Sequence, residues 1–355
     1  MYKSTKENKG EYNLKTFIKR GIELTSISEF NRFRKCYLPQ MRGGEKNLFL
    51  LFDYYTSLVR YGATVSDFFE YQFWKKKNIE RSEYVTMFFS RKIQKLFNRG
   101  DKTVFIDKVK FNDIYSDFRS IKSMDLSTDE FTADDFIAFV KQCDRKVLMK
   151  PLMGASGQGI YKADVSTDEK ALSLFKRVKK GGIDYMAEEV FQQTGSLHEV
   201  NPACLNTVRI FTLNDGKDVY LMCAGARIGG GKDIVDNIHA GGMVCELEKE
   251  SGTVVGPGYN LLGQRFVHHP ISGKLIPGLV VPQWKRVLDT VKKAAQVTPN
   301  IGHSAWDVAV SETDVTLIEA NEQGNFDLIQ CCSQQGCKKE YLKVINGQTE
   351  GLFKL

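Results

Sequence analysis

Apolar positions recur at helical spacing through the first hundred residues. Between Asn47 and Tyr61 the stripe is Leu48, Leu50, Leu51, Phe52, Tyr55, Leu58 and Val59, the period of an amphipathic helix. Ser66-Asp67 predicts the cap of a second helix running through Phe68, Phe69, Tyr71, Phe73 and Trp74. A third helix is predicted from Ser82 to Phe97. The dense aromatic residues of this region, Tyr54, Phe68 and Phe89 among them, are expected to form its helix-packing core. Lys75-Lys76-Lys77 reads as a solvated face.

From about residue 103 the period changes. Short β-branched runs alternate with helices and glycine turns. Strands are predicted at Val104-Phe105-Ile106, Val147-Leu148-Met149, Ile160 to Ala163 and Tyr185 to Phe191. Helices are predicted from Lys108 to Ile121, from Ala133 to Gln142, and from a Thr167 cap to Lys180. Thr207 to Leu213 and Val219 to Ile228 read as paired strands, as do Ala305 to Val310 and Val315 to Ala320. Helices mixed with antiparallel hairpins predict an α+β fold.

Composition narrows the class. The chain has 355 residues, 42% hydrophobic and 26% charged, ordinary values for a globular protein able to bury a core without staples. The net charge is +7, but residues 1–100 hold 20 Lys/Arg against 10 Asp/Glu, whereas residues 101–355 hold 30 against 33. The basic surplus therefore lies wholly in the helical region. No apolar run has the length of a membrane span, and the polar start predicts no secretory signal. The eight cysteines include the adjacent Cys331-Cys332 but no Cys-x-x-Cys pair. That argues against a zinc ribbon or a thioredoxin motif and for reduced, buried thiols in a cytoplasmic protein.

Three constellations carry candidate chemistry. Lys150 ends a strand and is followed by a loop holding Gly154, Ala155, Ser156, Gly157 and Gly159. Glycines let backbone N–H groups crowd around phosphate oxygens, and a lysine adds a point charge; a plain hairpin turn is the competing reading. The loop lacks the Gly-Lys-Ser/Thr of a Walker A motif and the βαβ context of a dinucleotide fingerprint. In the second constellation, Glu319 and Asn321 share one face at the end of a hairpin strand, and Asp307 on the partner strand can point to the same spot. Two carboxylates and an amide oxygen suit magnesium; a polar hairpin is the alternative. The third is Arg209 and Arg227 in consecutive strands with apolar neighbours. Such cations need anionic partners, either a structural carboxylate or a substrate.

Taken in order, these elements resemble the ATP-grasp superfamily over about residues 104–345. The Lys150 loop is similar to its phosphate-gripping flap. Asp107-Lys108, followed by Phe111 and Phe118, is similar to the element that supplies a second nucleotide lysine. Glu188-Glu189-Val190-Phe191 resembles the hinge strand whose backbone reads adenine. Asn206-Thr207-x-Arg209, Arg227, Asp236-Asn237 and Gly241-Gly242 resemble the strand-strand-loop series of its peptide-forming ligases, and Asp307 with Glu319-x-Asn321 its magnesium triad. Within the superfamily the chain is most similar to the sugar-transfer-associated ATP-grasp family. The run Asn201-Pro202-x-x-x-Asn206-Thr207-x-Arg209 before Thr212 carries that resemblance, together with the residues from Arg227 to Gly242.

The resemblance implies two α+β lobes gripping ATP, at 104–195 and 196–355, behind a helical basic region at 1–103. It implies an ADP-forming carboxylate–amine ligase acting through an acyl phosphate. Lys108 and Lys150 would neutralise phosphates, with magnesium on Asp307, Glu319 and Asn321; Glu199 is the candidate for the ribose. Arg209 would stabilise charge at the transferred phosphoryl group. Arg227, Asp236, Asn237, His239, Gly241 and Gly242 would face the acyl phosphate and substrate, although His239 reads equally as a surface histidine. The implied acid is a uronic acid of a surface polysaccharide, an amino acid or a peptide, and the amine an amino acid or amino alcohol. The basic region would meet an acidic glycan or the inner face of an anionic membrane. Two other functions stay open, an ATP-grasp kinase acting on a hydroxyl and a nucleotide-regulated binding protein. No RRM, KH or helix-turn-helix pattern is present, so nucleic acid is not an expected partner.

Overall fold

The structure, a computed structural model, describes residues 27–37, 47–153, 157–231, 236, 238, 241–260, 262–324 and 326–355. Helices pack together in the first hundred residues. Asn47–Tyr61 is helical as the stripe predicts. The next helix is Val65–Glu70, capped by Thr64 rather than by Ser66-Asp67. Asp67 instead stands at its third position, where it closes a capping box by accepting from the Thr64 amide at 2.8 Å. Gln72, in the left-handed conformation, ends that helix before a short 3₁₀ turn at Phe73–Lys75. The helix predicted from Ser82 to Phe97 begins only at Met87, and Ser82 instead ends a separate short helix, Asn78–Ser82.

Tyr54, Phe68, Phe69, Tyr71 and Phe73 pack in one buried aromatic cluster as expected, but Phe89 packs instead against the cluster that holds Phe211 and Tyr341. Within the lysine run, Lys75 and Lys77 are exposed, but Lys76 is half-buried and donates to the Gln334 carbonyl at 3.1 Å. The helical region is docked on the C-terminal helices, where Gln330 Oε1 accepts from the Val85 amide and Glu83 O from the Lys338 amide. Among the described residues, no helix is long and apolar enough to cross a membrane.

Two antiparallel sheets follow. The first comprises β1 (Ser123–Asp125), β2 (Val147–Pro151), β3 (Tyr161–Lys162) and β4 (Tyr185–Glu189), in the order β1-β4-β2-β3. Helices Ala133–Gln142 and Asp168–Lys180 cover one of its faces, with Phe136, Val140, Ala171 and Leu174 buried. Thr132 and Thr167 cap these helices by accepting from backbone amides.

The second sheet comprises β5 (Thr207–Asn214), β6 (Val219–Ile228), β7 (Met243–Glu246), β8 (Gly258–Tyr259), β9 (Arg265–Phe266), β10 (His303–Val310) and β11 (Val315–Asn321). Its order is β11-β10-β5-β6-β7-β8-β9. On one face Val208, Ile210, Ala226, Trp306, Val308 and Leu317 pack with helix Trp284–Val297. On the other, Phe211, Leu213, Met222 and Ala305 pack with Leu328 and Ile329 of helix Asp327–Ser333. Strand residues alternate between faces, so Arg209, Arg227 and Asp307 share this second face beyond its apolar half.

Two connecting elements differ from the sequence expectation. Val104-Phe105-Ile106 is not a strand but part of a helix, Thr103–Ile106. Asp101 accepts from the Thr103 amide at 3.0 Å, and Phe105 packs edge-on to Trp306 with ring centroids 5.5 Å apart. Tertiary packing here overrides the β preference of three residues that have no strand to pair with. The predicted Lys108–Ile121 helix stops at Ile114; Ser116–Phe118 is a 3₁₀ turn and Arg119 is extended. Of the eight free cysteines, Cys36 is exposed and Cys337 half-buried, while the other six are buried.

Candidate active site at the seam of the two sheets

A cleft of about 350 Å³ lies between the sheets. Leu148 and Lys150 of β2 and Met186 and Glu188 of β4 line one wall. The register pairs Leu148 with Glu188 and Lys150 with Met186, so period 2 places all four on the same face. Thr207, Arg227, Asp307, Glu319 and Asn321 line the opposite wall, and Phe105, Ile106, Lys108 and Phe111 close one side.

Lys150 Nζ donates to Glu188 Oε1, and Arg119 Nη2 donates to Glu188 Oε2 at 2.7 Å. Burial alone would raise the Glu188 carboxyl; Lys150 and then Arg119 outweigh it and hold the group below its ordinary value. Lys108 Nζ donates to the carbonyls of Pro151 and Leu152 at 2.8 and 3.0 Å. This ties it to the start of the glycine loop. Its amine is shifted down, chiefly by burial and also by Lys150 nearby.

The opposite wall holds an ion-pair lattice set by register. Asp307 faces Arg209 on β5 and Glu319 on β11. Arg209 donates through Nε and Nη2 to both Asp307 oxygens, each at 2.5 Å. Arg227 Nη1 adds a third bond to Asp307 at 2.7 Å, and its Nη2 lies 2.9 Å from Asp236 Oδ1. Asp236 in turn accepts from the Thr207 amide at 2.9 Å and from the Thr207 hydroxyl. The two arginines outweigh burial and hold the Asp307 carboxyl well below the usual carboxylate range. Glu319 goes the other way. Enclosure in the cleft and then the adjacent Asp307 push its carboxyl up, although solvent still reaches 53% of its side chain. Burial likewise pushes Asp236 up.

These donors fit a hard divalent cation. Glu319 is the carboxylate turned to the open cleft, and its raised affinity for protons beside Asp307 is the electrostatic strain that a cation relieves. The Asn321 amide, two residues on, has a buried Nδ2 without a hydrogen-bond partner, as in an amide whose orientation follows a ligand on its oxygen. Among the described residues no three His, Cys, Asp or Glu side chains converge as a metal site. The set here has two carboxylates and one amide.

The structure brings together some, not all, of the residues singled out from the sequence. Lys108, Lys150, Gly157, Glu188, Arg227, Asp236, Asp307, Glu319 and Asn321 line the cleft. Arg209 does not; it is buried behind Asp307. Glu189 turns away, its Oε2 accepting from the Lys122 amide at 3.1 Å. The amides of Glu189 and Val190 are spent on the carbonyls of Lys122 and Lys146, and β4 ends before Val190 and Phe191. Gly159 lies against Pro151. Glu199, on helix Ser196–Val200, is exposed and paired with Lys274 at 2.7 Å, outside the lining. Gly241 and Gly242 do not line the cleft either; a Cβ on Gly230 would sit 2.0 Å from the Gly241 carbonyl oxygen, so the two ends of that loop touch. Gly154, Ala155, Ser156, Asn237 and His239 lie outside the described residues.

The run from Asn201 to Arg209 anchors the same loop. Asn201 Nδ2 donates to the Gly229 carbonyl at 2.8 Å and Asn206 Oδ1 accepts from the Gly229 amide at 3.0 Å. His269 Nδ1 accepts from the Ser272 amide at 3.2 Å, which leaves Nε2 to donate to Gly229 O at 2.7 Å. Sequence reasoning missed Arg119 and the apolar lining. Leu148 and Met186 were legible as the residues two before Lys150 and Glu188; Arg119, in an irregular segment, has no local signal.

The model of the family described as sugar-transfer associated ATP-grasp matches residues 88–346, more than half of the chain. No curated protein matches. Among solved structures the chain is similar to a carboxyaminoimidazole ribonucleotide synthase from Aspergillus clavatus complexed with ATP, at 9% identity and a TM-score of 0.41, over 65% of this chain and 52% of that one. It is also similar to the D-alanine-D-alanine ligase from Coxiella burnetii, at 11% identity and 0.42, over 68% and 57%. A third is a biotin carboxylase from Campylobacter jejuni in an ATP complex, at 15% and 0.44, over 71% and 49%. The chain thus spans about half the length of these structures.

Proposed function

This chain belongs to the sugar-transfer-associated ATP-grasp family, and from that premise we propose that its cleft binds ATP and drives an ADP-forming carboxylate–amine ligation. The supporting observation is the juxtaposition in one cleft of two lysines on the β2 side with Glu319, Asn321 and Arg227 opposite. In this reading residues 104–195 and 196–355 are the two lobes, behind a basic helical region at 1–103. Lys150 and Lys108 neutralise nucleotide phosphates. Lys108 also holds the carbonyls of Pro151 and Leu152, just ahead of the loop at 154–159.

Magnesium held by Glu319 and Asn321, with Asp307 beside them, would supply charge neutralisation at the transferred phosphate. A substrate carboxylate oxygen bonds to the γ-phosphorus and ADP leaves, giving an acyl phosphate. An amine then attacks the carbonyl carbon, loses a proton and expels phosphate. Arg227 faces the cleft and can stabilise the oxyanion; Arg209 acts through Asp307. The proposed acid is a uronic acid of a polysaccharide or an amino acid or peptide carboxylate.

Lys150→Ala is expected to raise the ATP concentration needed for half-maximal turnover by about tenfold or more. Unchanged ATP dependence would remove Lys150 from the phosphate site. The reaction class is tested by incubating the chain with ATP, magnesium, hydroxylamine and a panel of uronic and amino acids. A hydroxamate with stoichiometric ADP is expected. A stable phosphate ester formed without any amine would identify a kinase instead.

A further inference from the structure

Arg119 crosses the seam between the two sheets with its side chain only 3% exposed. Nη1 donates to the carbonyls of Leu317 and Ile318 at 2.7 and 3.2 Å, immediately before Glu319. Nη2 donates to one oxygen of Glu188 at 2.7 Å, and Lys150 Nζ donates to the other. One buried carboxylate is therefore shared by two cations. Lys150 and Glu188 line the cleft; Arg119 does not.

The charge count gives this arrangement a consequence. Lys150, Glu188 and Arg119 together carry one net positive charge. Without Arg119, Lys150 and Glu188 would form a neutral pair, held tightly in a low-dielectric setting, and would offer a phosphate little attraction. We infer that Arg119 is a positioning residue for the nucleotide: by neutralising Glu188 it leaves Lys150 its positive charge for phosphate, while its other nitrogen pins the strand that delivers Glu319. The inference rests on the reading of the cleft as an ATP site.

Calorimetric titration of the full chain with ATP and magnesium tests it. Arg119→Met is expected to weaken ATP binding by about tenfold or more. The double variant Arg119→Met/Glu188→Gln restores the net charge, so its affinity should return to within about threefold of wild type. It does not restore the bonds to Leu317 and Ile318, so a purely structural role predicts no recovery. Arg119→Lys keeps the charge and should bind ATP within about threefold of wild type. Glu188→Gln alone, which leaves both cations, should bind ATP at least as tightly as wild type and keeps the test open if Arg119→Met fails to fold. ATP affinity unchanged in Arg119→Met, a double variant no better than the single one, or looser binding in Glu188→Gln would each overturn the inference. If wild type binds ATP and the variants fail this pattern, the inference alone falls; if wild type binds no nucleotide, the function proposed for the cleft falls with it.

Discussion

Glu319→Gln is expected to lower turnover on the order of 1,000-fold while changing ATP affinity by less than about tenfold. The reason is where the carboxylate sits. Asp307 is enclosed by three arginine hydrogen bonds, so its charge is already committed to Arg209 and Arg227. Glu319 pairs with Arg209 at the longer distance of 3.8 Å and stays half open to the cleft. It is thus the carboxylate with charge left to hold a cation, and glutamine keeps its shape while removing that charge. In the proposed reading nucleotide binding leans also on Lys108 and Lys150, which the variant leaves intact. Steady-state turnover and ATP titration on the same preparation separate the two effects; a variant with near wild-type turnover would remove Glu319 from the metal site.

The second large effect is on stability. Asp307→Asn should destabilise the chain by about 3–5 kcal/mol at neutral pH, read as a lower urea midpoint, because it leaves two buried guanidinium groups without their shared carboxylate. The sign of the pH dependence follows from the depressed Asp307 carboxyl. A group bound more tightly as its anion in the folded state contributes stability that is full above its unfolded pKa, ordinarily about 3.9, and is lost as pH falls below it. The gap between wild type and variant should therefore be widest near neutrality and narrow in acid. A constant gap from pH 7 to pH 3 would show that Asp307 matters by shape, not charge. The same variant removes the negative neighbour that raises Glu319, so any acid limb of activity should move to lower pH.

The described helices of the first hundred residues, within 27–37 and 47–97, pack through an aromatic core and dock on Gln330 and Lys338, away from the residues that line the cleft. The cleft's own cations, Lys108, Lys150 and Arg227, come from the part of the chain that has no net basic excess.

Period and punctuation alone determined the hairpin of β10 and β11, the pairing of β5 with β6 and the Thr167-capped helix, because each depends on residues close in sequence. They also determined that Glu319 and Asn321 share a face, since strand side chains alternate whatever the partner. They could not determine what Asp307 binds: its arginine partner Arg209 is 98 residues away, and only sheet order makes them neighbours. Nor could they show Val104–Ile106 as a helix, because its conformation follows from packing on Trp306 rather than from its own β-branched residues. Arg119 is the clearest case. Nothing around it in the chain marks it, and its meaning comes from a contact across 69 residues that joins one sheet to the other. Local preference acts over a few residues, whereas the neutralisation of a buried charge depends on whichever group the fold brings within hydrogen-bond reach. The kinds of chemistry were therefore written in the sequence, and the division of charge among them was settled by the tertiary structure.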